Sequence, residues 1–130
     1  MHVLVCDDDR VTRLMIARLL KQHLGCTVVE CGDGLSAVLR LERESFDLIL
    51  LDIQMPMANG VQVVKILRES GAIHRQPVVM ITADGRAEVV EHLLKLGISD
   101  FIVKPVRKDS LLEKVGRLHE RTRLAGTHAE

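Results

Sequence analysis

Short apolar runs alternate along this chain with longer stretches in which apolar residues recur every three to four positions, a pattern that predicts parallel βαβ units. HVLVC (residues 2–6) predicts the first strand. VTRLMIARLLKQHLG then predicts a helix with Val11, Met15 and Leu19 on one stripe beside Ile16 and Leu20, stopped by Gly25. CTVVE (26–30) predicts the second strand, LSAVLRLERES (35–45) the second helix and FDLILLD (46–52) the third strand. After the loop IQMPMANG, VQVVKILRES (61–70) predicts the third helix, with Gly71 just past its end. PVVMIT (77–82), RAEVVEHLLKL (86–96, ahead of Gly97), DFIVK (100–104) and KDSLLEKVGRLHERTR (108–123) complete five strands and five helices. The LILL and VVMI runs are continuously apolar, as strands covered by helices on both faces should be. The expected domain is α/β and doubly wound over residues 1–124, with a short polar tail at 125–130.

Composition narrows the setting. A chain of 130 residues with 47% hydrophobic and 28% charged content suits one globular domain. Eighteen basic residues balance eighteen acidic ones, which excludes the basic footprint of a nucleic-acid binder and the polybasic stripe of a membrane-surface protein. Direct nucleic-acid binding is therefore not expected. No apolar run approaches the ~20 residues of a membrane span, and the N-terminus enters a strand without the features of a signal peptide, so a cytoplasmic location is expected. Cys6, Cys26 and Cys31 lack the spacing of zinc or redox motifs and read as small buried thiols. Cys26 and Cys31 flank TVVE at an odd separation, which points them to opposite faces of a strand. The six histidines are scattered without a pair at ligand spacing, and Phe46 and Phe101 alone offer no stacking platform.

In open parallel sheets, ligands bind outside the carboxyl ends of the strands, where strand order reverses. The first strand ends in Asp7 and Asp8, the third in Asp52, the fourth in Thr82 and the fifth in Lys104 followed by Pro105. Three acids, a hydroxyl and an amine should thus meet on one edge. Carboxylates that meet cannot all stay ionised without a cation, and an all-oxygen set suits a hard ion such as Mg²⁺. Asp52, alone at its strand end, can attack phosphorus to give an aspartyl phosphate, while Lys104 and Thr82 hold phosphoryl oxygens. Asp9 precedes a helical pattern directly and reads instead as an N-cap.

These residues carry a resemblance. The chain resembles a response-regulator receiver domain of two-component signalling, similar to chemotaxis regulators, from VLVCDDD through LILLDIQMPMANG and VVMITA to DFIVKP and the last helix. The resemblance implies a flavodoxin-like fold with strand order 2-1-3-4-5 and phosphoryl transfer to Asp52 from the phosphohistidine of a histidine kinase or a histidine phosphotransfer protein. It implies that Asp8 and Asp52 ligate Mg²⁺ (or Mn²⁺ in its place) directly, Asp7 through water and Gln54 through its backbone carbonyl. Lys104 would pair with the phosphoryl group, and the Lys104–Pro105 bond is expected to be cis. Thr82 and Phe101 would form the switch, altering an output face built from the fourth helix, fifth strand and fifth helix, a face also compatible with a homodimer. Gln54 and Asp84 would tune hydrolysis. Such a domain signals and is not an enzyme beyond assisting its own phosphorylation and autodephosphorylation.

The sequence departs from the family pattern at Asn59, where Asp is usual, and at Val106, where Phe is commoner. Neither touches the chemistry, and Gly60 should preserve the turn. Two other readings stand beside this one. Asp7-x-Asp9-x-Val11 also matches the first motif of haloacid-dehalogenase-type phosphatases, with Asp7 as nucleophile, although only Asp109 follows Lys104 closely and there is no room for a cap domain. A receiver acting as an unphosphorylated interaction module is the third. A stand-alone regulator and a receiver cut from a hybrid kinase or larger regulator both remain open, and IQMP after Asp52 resembles hybrid-kinase receivers.

Overall fold

A computed structural model describes the backbone of residues 1–128 and the side chains of residues 1–121. Five strands, β1 (His2–Cys6), β2 (Thr27–Cys31), β3 (Leu48–Asp52), β4 (Val78–Thr82) and β5 (Asp100–Val103), alternate with α1 (Arg10–Leu24), α2 (Gly34–Arg43), α3 (Gly60–Glu69), α4 (Ala87–Lys95) and α5 (Lys108–His128). All strand pairings are parallel, in the order β2-β1-β3-β4-β5. The order reverses between β1 and β3, so that crossovers of one hand place helices on both faces.

Alternate residues of the central strands feed two separate cores. Leu4, Cys6, Ile49, Leu51, Val78 and Met80 pack with Ala37 of α2, Val63, Val64 and Leu67 of α3 and Leu93 of α4. Val3, Val5, Leu48, Leu50, Val79 and Ile81 pack on the other face with Ile16 and Leu20 of α1 and Leu111 and Val115 of α5. Burial on both faces is why these strands read as unbroken apolar runs. Each fully buried leucine contributes roughly 1.5–3 kcal/mol relative to exposure. Cys26 and Cys31 fall in opposite cores, as their odd separation predicts. Each of the three cysteines is a buried free thiol.

Local chemistry sets the element ends. Asp9 caps α1, its side chain accepting from the Val11 N–H, and Gly25 closes that helix in the left-handed region at φ 63°. Asn59 caps α3 in a reciprocal box, accepting from the Gln62 N–H at 3.0 Å while the Gln62 side chain accepts from the Asn59 N–H at 2.9 Å. The Asn that departs from the family pattern is thus a working cap. Gly34, at the start of α2, lies so close to the loop after β3 that a Cβ there would fall 1.7 Å from the Ala58 carbonyl oxygen.

Most element ends fall one or two residues from expectation, and three differences have a physical reason. β2 begins at Thr27 rather than Cys26, because His2 is its first partner across the β1 register. A 3-10 turn over Ala72–His74, invisible to periodicity, links α3 to β4. α5 continues to His128 rather than ending near Arg123. The segment contains no proline, and Gly126 costs a helix only about 1 kcal/mol. The expected tail is therefore helical through His128, while residues 129–130 lie outside the described residues.

Candidate functional site

The parallel register aligns the ends of β1, β3 and β4, and the carboxyl edge changes character within one residue. Cys6 pairs with Leu51 and Asp52 with Ile81, so Asp7 and Asp52 emerge side by side. Asp7 is fully buried, Asp52 is 2% exposed and Thr82 is 3% exposed, whereas Asp8 faces solvent. Lys104 follows the end of β5 and donates its backbone N–H to the Thr82 carbonyl at 2.7 Å. That bond turns its side chain across the edge, where Nζ lies 3.0 Å from Asp52 Oδ2 and 3.4 Å from Asp7 Oδ2. The Lys104–Pro105 peptide bond is cis.

The acids are held differently. Asp7 Oδ1 accepts from the Asp9 N–H at 2.9 Å, but the buried Oδ2 accepts no hydrogen bond. Asp52 Oδ1 accepts from the Gln54 N–H at 3.2 Å. Burial, reinforced by the neighbouring Asp7 charge, pushes the Asp52 carboxyl up to about 6 against the opposing pull of Lys104 and the Gln54 N–H. For Lys104, burial works against the charged form, but the hydrogen bond to Asp52 and the two carboxylate charges outweigh it and raise its pKa. One oxygen from each of Asp7, Asp8 and Asp52 falls within 4.8 Å of the others. Three converging carboxylates, one with a buried oxygen that accepts no hydrogen bond and meets only the Lys104 ammonium, form a donor set suited to a hard divalent cation.

Beside the carboxylates a cleft of about 250 Å³ is lined by Asp52, Gln54, Thr82, Asp84, Val89 and Lys104. It brings together the residues picked out at the ends of β3, β4 and β5. Within it the Thr82 hydroxyl is turned toward its own loop, accepting from the Asp84 N–H at 2.9 Å and donating to the Asp84 carbonyl at 3.1 Å. The Asp84 carboxylate is gripped by Arg86, whose Nε and Nη2 donate to it at 3.0 and 2.7 Å, and this guanidinium holds Asp84 below the usual carboxylate range. Phe101 is half-buried beneath the Lys114 ammonium, 4.5 Å from the ring centroid, and Lys114 also donates to the Phe101 carbonyl.

Arg86 and Lys114 escaped the sequence reading, and Gly60 was read only as preserving its turn. A Cβ on Gly60 would sit 2.4 Å from the Asp52 carbonyl oxygen, so the backbone carrying Asp52 can approach α3 only because that position is glycine. Arg86 sits two residues beyond Asp84 in an irregular loop, and no periodicity marks it. Lys114 meets Phe101 across two elements. Gly60, kept in the MPMANG loop, was the one visible signal.

The profile of the response regulator receiver domain matches residues 3–116. The chain belongs to that family. This receiver domain is 31% identical over 121 residues to the chemotaxis protein CheY-3 of Vibrio cholerae, covering 93% of each chain. It is also 35% identical over 115 residues to the CAI-1 autoinducer sensor kinase/phosphatase CqsS of the same species, where the match covers 88% of this chain but only 17% of that protein. Among solved structures, the Francisella response regulator 1452 receiver domain superposes with a TM-score of 0.86 at 31% identity, covering 93% of this chain and 98% of that one. The receiver fold, strand order included, and membership of two-component signalling are thereby established, and the phosphatase and unphosphorylated-module readings are not favoured. Among the described residues no helix is long and apolar enough to cross a membrane.

Proposed function

We propose that Asp52 is the phosphoacceptor of this receiver domain. The observation that carries the reading is the Lys104 ammonium 3.0 Å from Asp52 on an edge where Asp7, Asp8 and Asp52 converge. A carboxylate oxygen of Asp52 attacks the phosphorus of a partner's phosphohistidine, the phosphorus–nitrogen bond breaks, and the imidazole leaves with the bonding pair. Lys104 shifts from Asp52 to a phosphoryl oxygen and neutralises developing charge. Asp7, Asp8, Asp52 and the Gln54 carbonyl would hold Mg²⁺, or Mn²⁺ in its place, which supplies charge neutralisation for in-line transfer.

Release of the Thr82 hydroxyl from the Asp84 turn lets it reach the phosphoryl group, and Phe101 repacks into the space Thr82 leaves. The output face is α4, β5 and α5, the surface open to a downstream partner or a second copy. Gln54 and Asp84 line the cleft through which water would reach the acyl phosphate, and so tune its hydrolysis. The donor is a histidine kinase or a histidine phosphotransfer protein in the cytoplasm, and residues 1–124 form the phosphoaccepting unit. The domain acts as a signalling element whose only catalysis is of its own phosphorylation and dephosphorylation.

The test is incubation with Mg²⁺ and acetyl phosphate, or beryllofluoride as a stable mimic, read by intact mass and NMR. A labile adduct forms, Asp52→Ala abolishes it and Asp9→Ala spares it; labelling at Asp7 would falsify the assignment. Thr82→Ala leaves adduct formation largely intact and suppresses the shifts around Phe101. Unchanged shifts there would sink the coupling.

A further inference from the structure

Beneath α2, the β1–β2 register sets Cys6 directly opposite Cys31, and the two residues enter the same core face. Each thiol acts on the other's ionisation, that of Cys6 pushed up and that of Cys31 drawn down by its neighbour. Adjacent parallel strands lie about 4.8 Å apart, within the ~4.4–6.8 Å Cα separation that a disulfide spans. The pair is also reachable. Cys6 is fully enclosed, but Cys31 lines an open cleft of about 430 Å³ with Ser36, Leu39 and Arg40. Cys26 lies in the opposite core, away from both.

We propose that Cys31 and Cys6 form a dithiol–disulfide centre that hydrogen peroxide oxidises and a small thiol reductant restores, and that reports oxidation to the neighbouring carboxylates. The Cys31 sulfur attacks one oxygen of hydrogen peroxide, the O–O bond breaks, and the second oxygen leaves with the Cys31 proton as water, giving a sulfenic acid on Cys31. The Cys6 sulfur then attacks the Cys31 sulfur, the S–O bond breaks, and a second water departs with the Cys6 proton. Two thiols and one peroxide thus give one disulfide and two waters, the peroxide oxygens being reduced and both sulfurs oxidised. This order follows from access, since peroxide reaches Cys31 first and Cys6 can serve only as the resolving thiol.

The link to the carboxylates is covalent and short. Cys6 directly precedes Asp7, and the Cys31 carbonyl accepts the Asp7 N–H at 3.1 Å. A disulfide holds its Cβ atoms about 3.8 Å apart, so closing the bond draws together the strand ends that position Asp7. Only this coupling rests on the proposed role of the carboxylates.

The experiment treats the folded full chain with hydrogen peroxide, quenches with an alkylating agent and reads intact mass and a peptide map. Loss of two hydrogens, a Cys6–Cys31 link and recovery with a thiol reductant are expected, with Cys26→Ser behaving identically. Cys6→Ala should leave Cys31 trapped as a sulfenic acid that dimedone captures. A link that appears only in denaturant, or oxidation of Cys26 as fast as Cys31, would overturn the site without recourse to any variant. For the coupling, Mg²⁺ titration by calorimetry compares reduced and oxidised protein. Weaker binding after oxidation supports it and equal binding refutes it. A reduced protein that binds no Mg²⁺ would overturn the carboxylate reading and the coupling together, leaving the thiol chemistry standing.

Discussion

The interior of the central strands and their carboxyl edge are equally buried and do opposite things to the protein. Leu48 to Leu51 and Val78 to Ile81 are fully enclosed, and each apolar contact there favours folding. One residue further, Asp7, Asp52 and Thr82 are just as deep. There burial works against the ionised form of Asp52, and the buried Oδ2 of Asp7 has only the Lys104 ammonium at 3.4 Å to offset its desolvation. Depth measures how strongly a position acts, and the side chain decides the sign.

Four substitutions break or sharpen that contrast. The largest effect belongs to the interior, where Leu50→Ala should cost about 2–5 kcal/mol in urea unfolding by removing packed volume from the core shared with α1 and α5. A loss comparable to that of an exposed leucine such as Leu39 would refute the claimed packing.

At the edge the sign reverses. The Asp52 carboxyl, raised to about 6, binds more protons in the folded than in the unfolded state between about pH 4 and 6, so this group's contribution is present at low pH and lost as pH rises through that window. Asp52→Asn, neutral throughout, escapes the loss. In metal-free buffer its stability relative to wild type should therefore grow by at most roughly 3 kcal/mol between pH 4 and 7. A flat difference across that range would show that Lys104 already compensates the charge fully. Added Mg²⁺ should raise the wild-type Tm and leave the variant's nearly unchanged.

Gly60→Ala tests where the two regions join. Its Cβ must displace the Asp52 carbonyl, so a destabilisation of about 1–3 kcal/mol should come with slower adduct formation. Unchanged phosphorylation would separate backbone placement from chemistry. The smallest effect is Asp9→Ala, which removes the α1 cap for about 1 kcal/mol and leaves the adduct yield intact. Thermal melts and mass spectrometry of the one variant check both parts.

How much of this the sequence disclosed follows from the same contrast. The LILL and VVMI runs announced buried strands because parallel sheets need apolar residues on both faces, and a jump from apolar to Asp, Thr or Lys marked each strand end. Strand order came from the family resemblance, since periodicity does not say which strands are neighbours. The Arg86 grip on Asp84 and the Lys114 contact with Phe101 depend on loop geometry and on how α5 meets β5. The helical course of α5 beyond Arg123 was hidden because nothing in that segment forces either outcome.

Gly34 carries a consequence for how such a domain can vary over generations. It touches no candidate ligand and shares no strand with Asp52, yet a single methyl group there would collide with the Ala58 carbonyl in the loop that follows Asp52. In a saturation-mutagenesis library selected for signalling, position 34 should be nearly as depleted as position 52. Neighbouring Leu35, 46% exposed, should drift freely. Tolerance to change in this fold tracks the distance between backbones as much as distance from the chemistry.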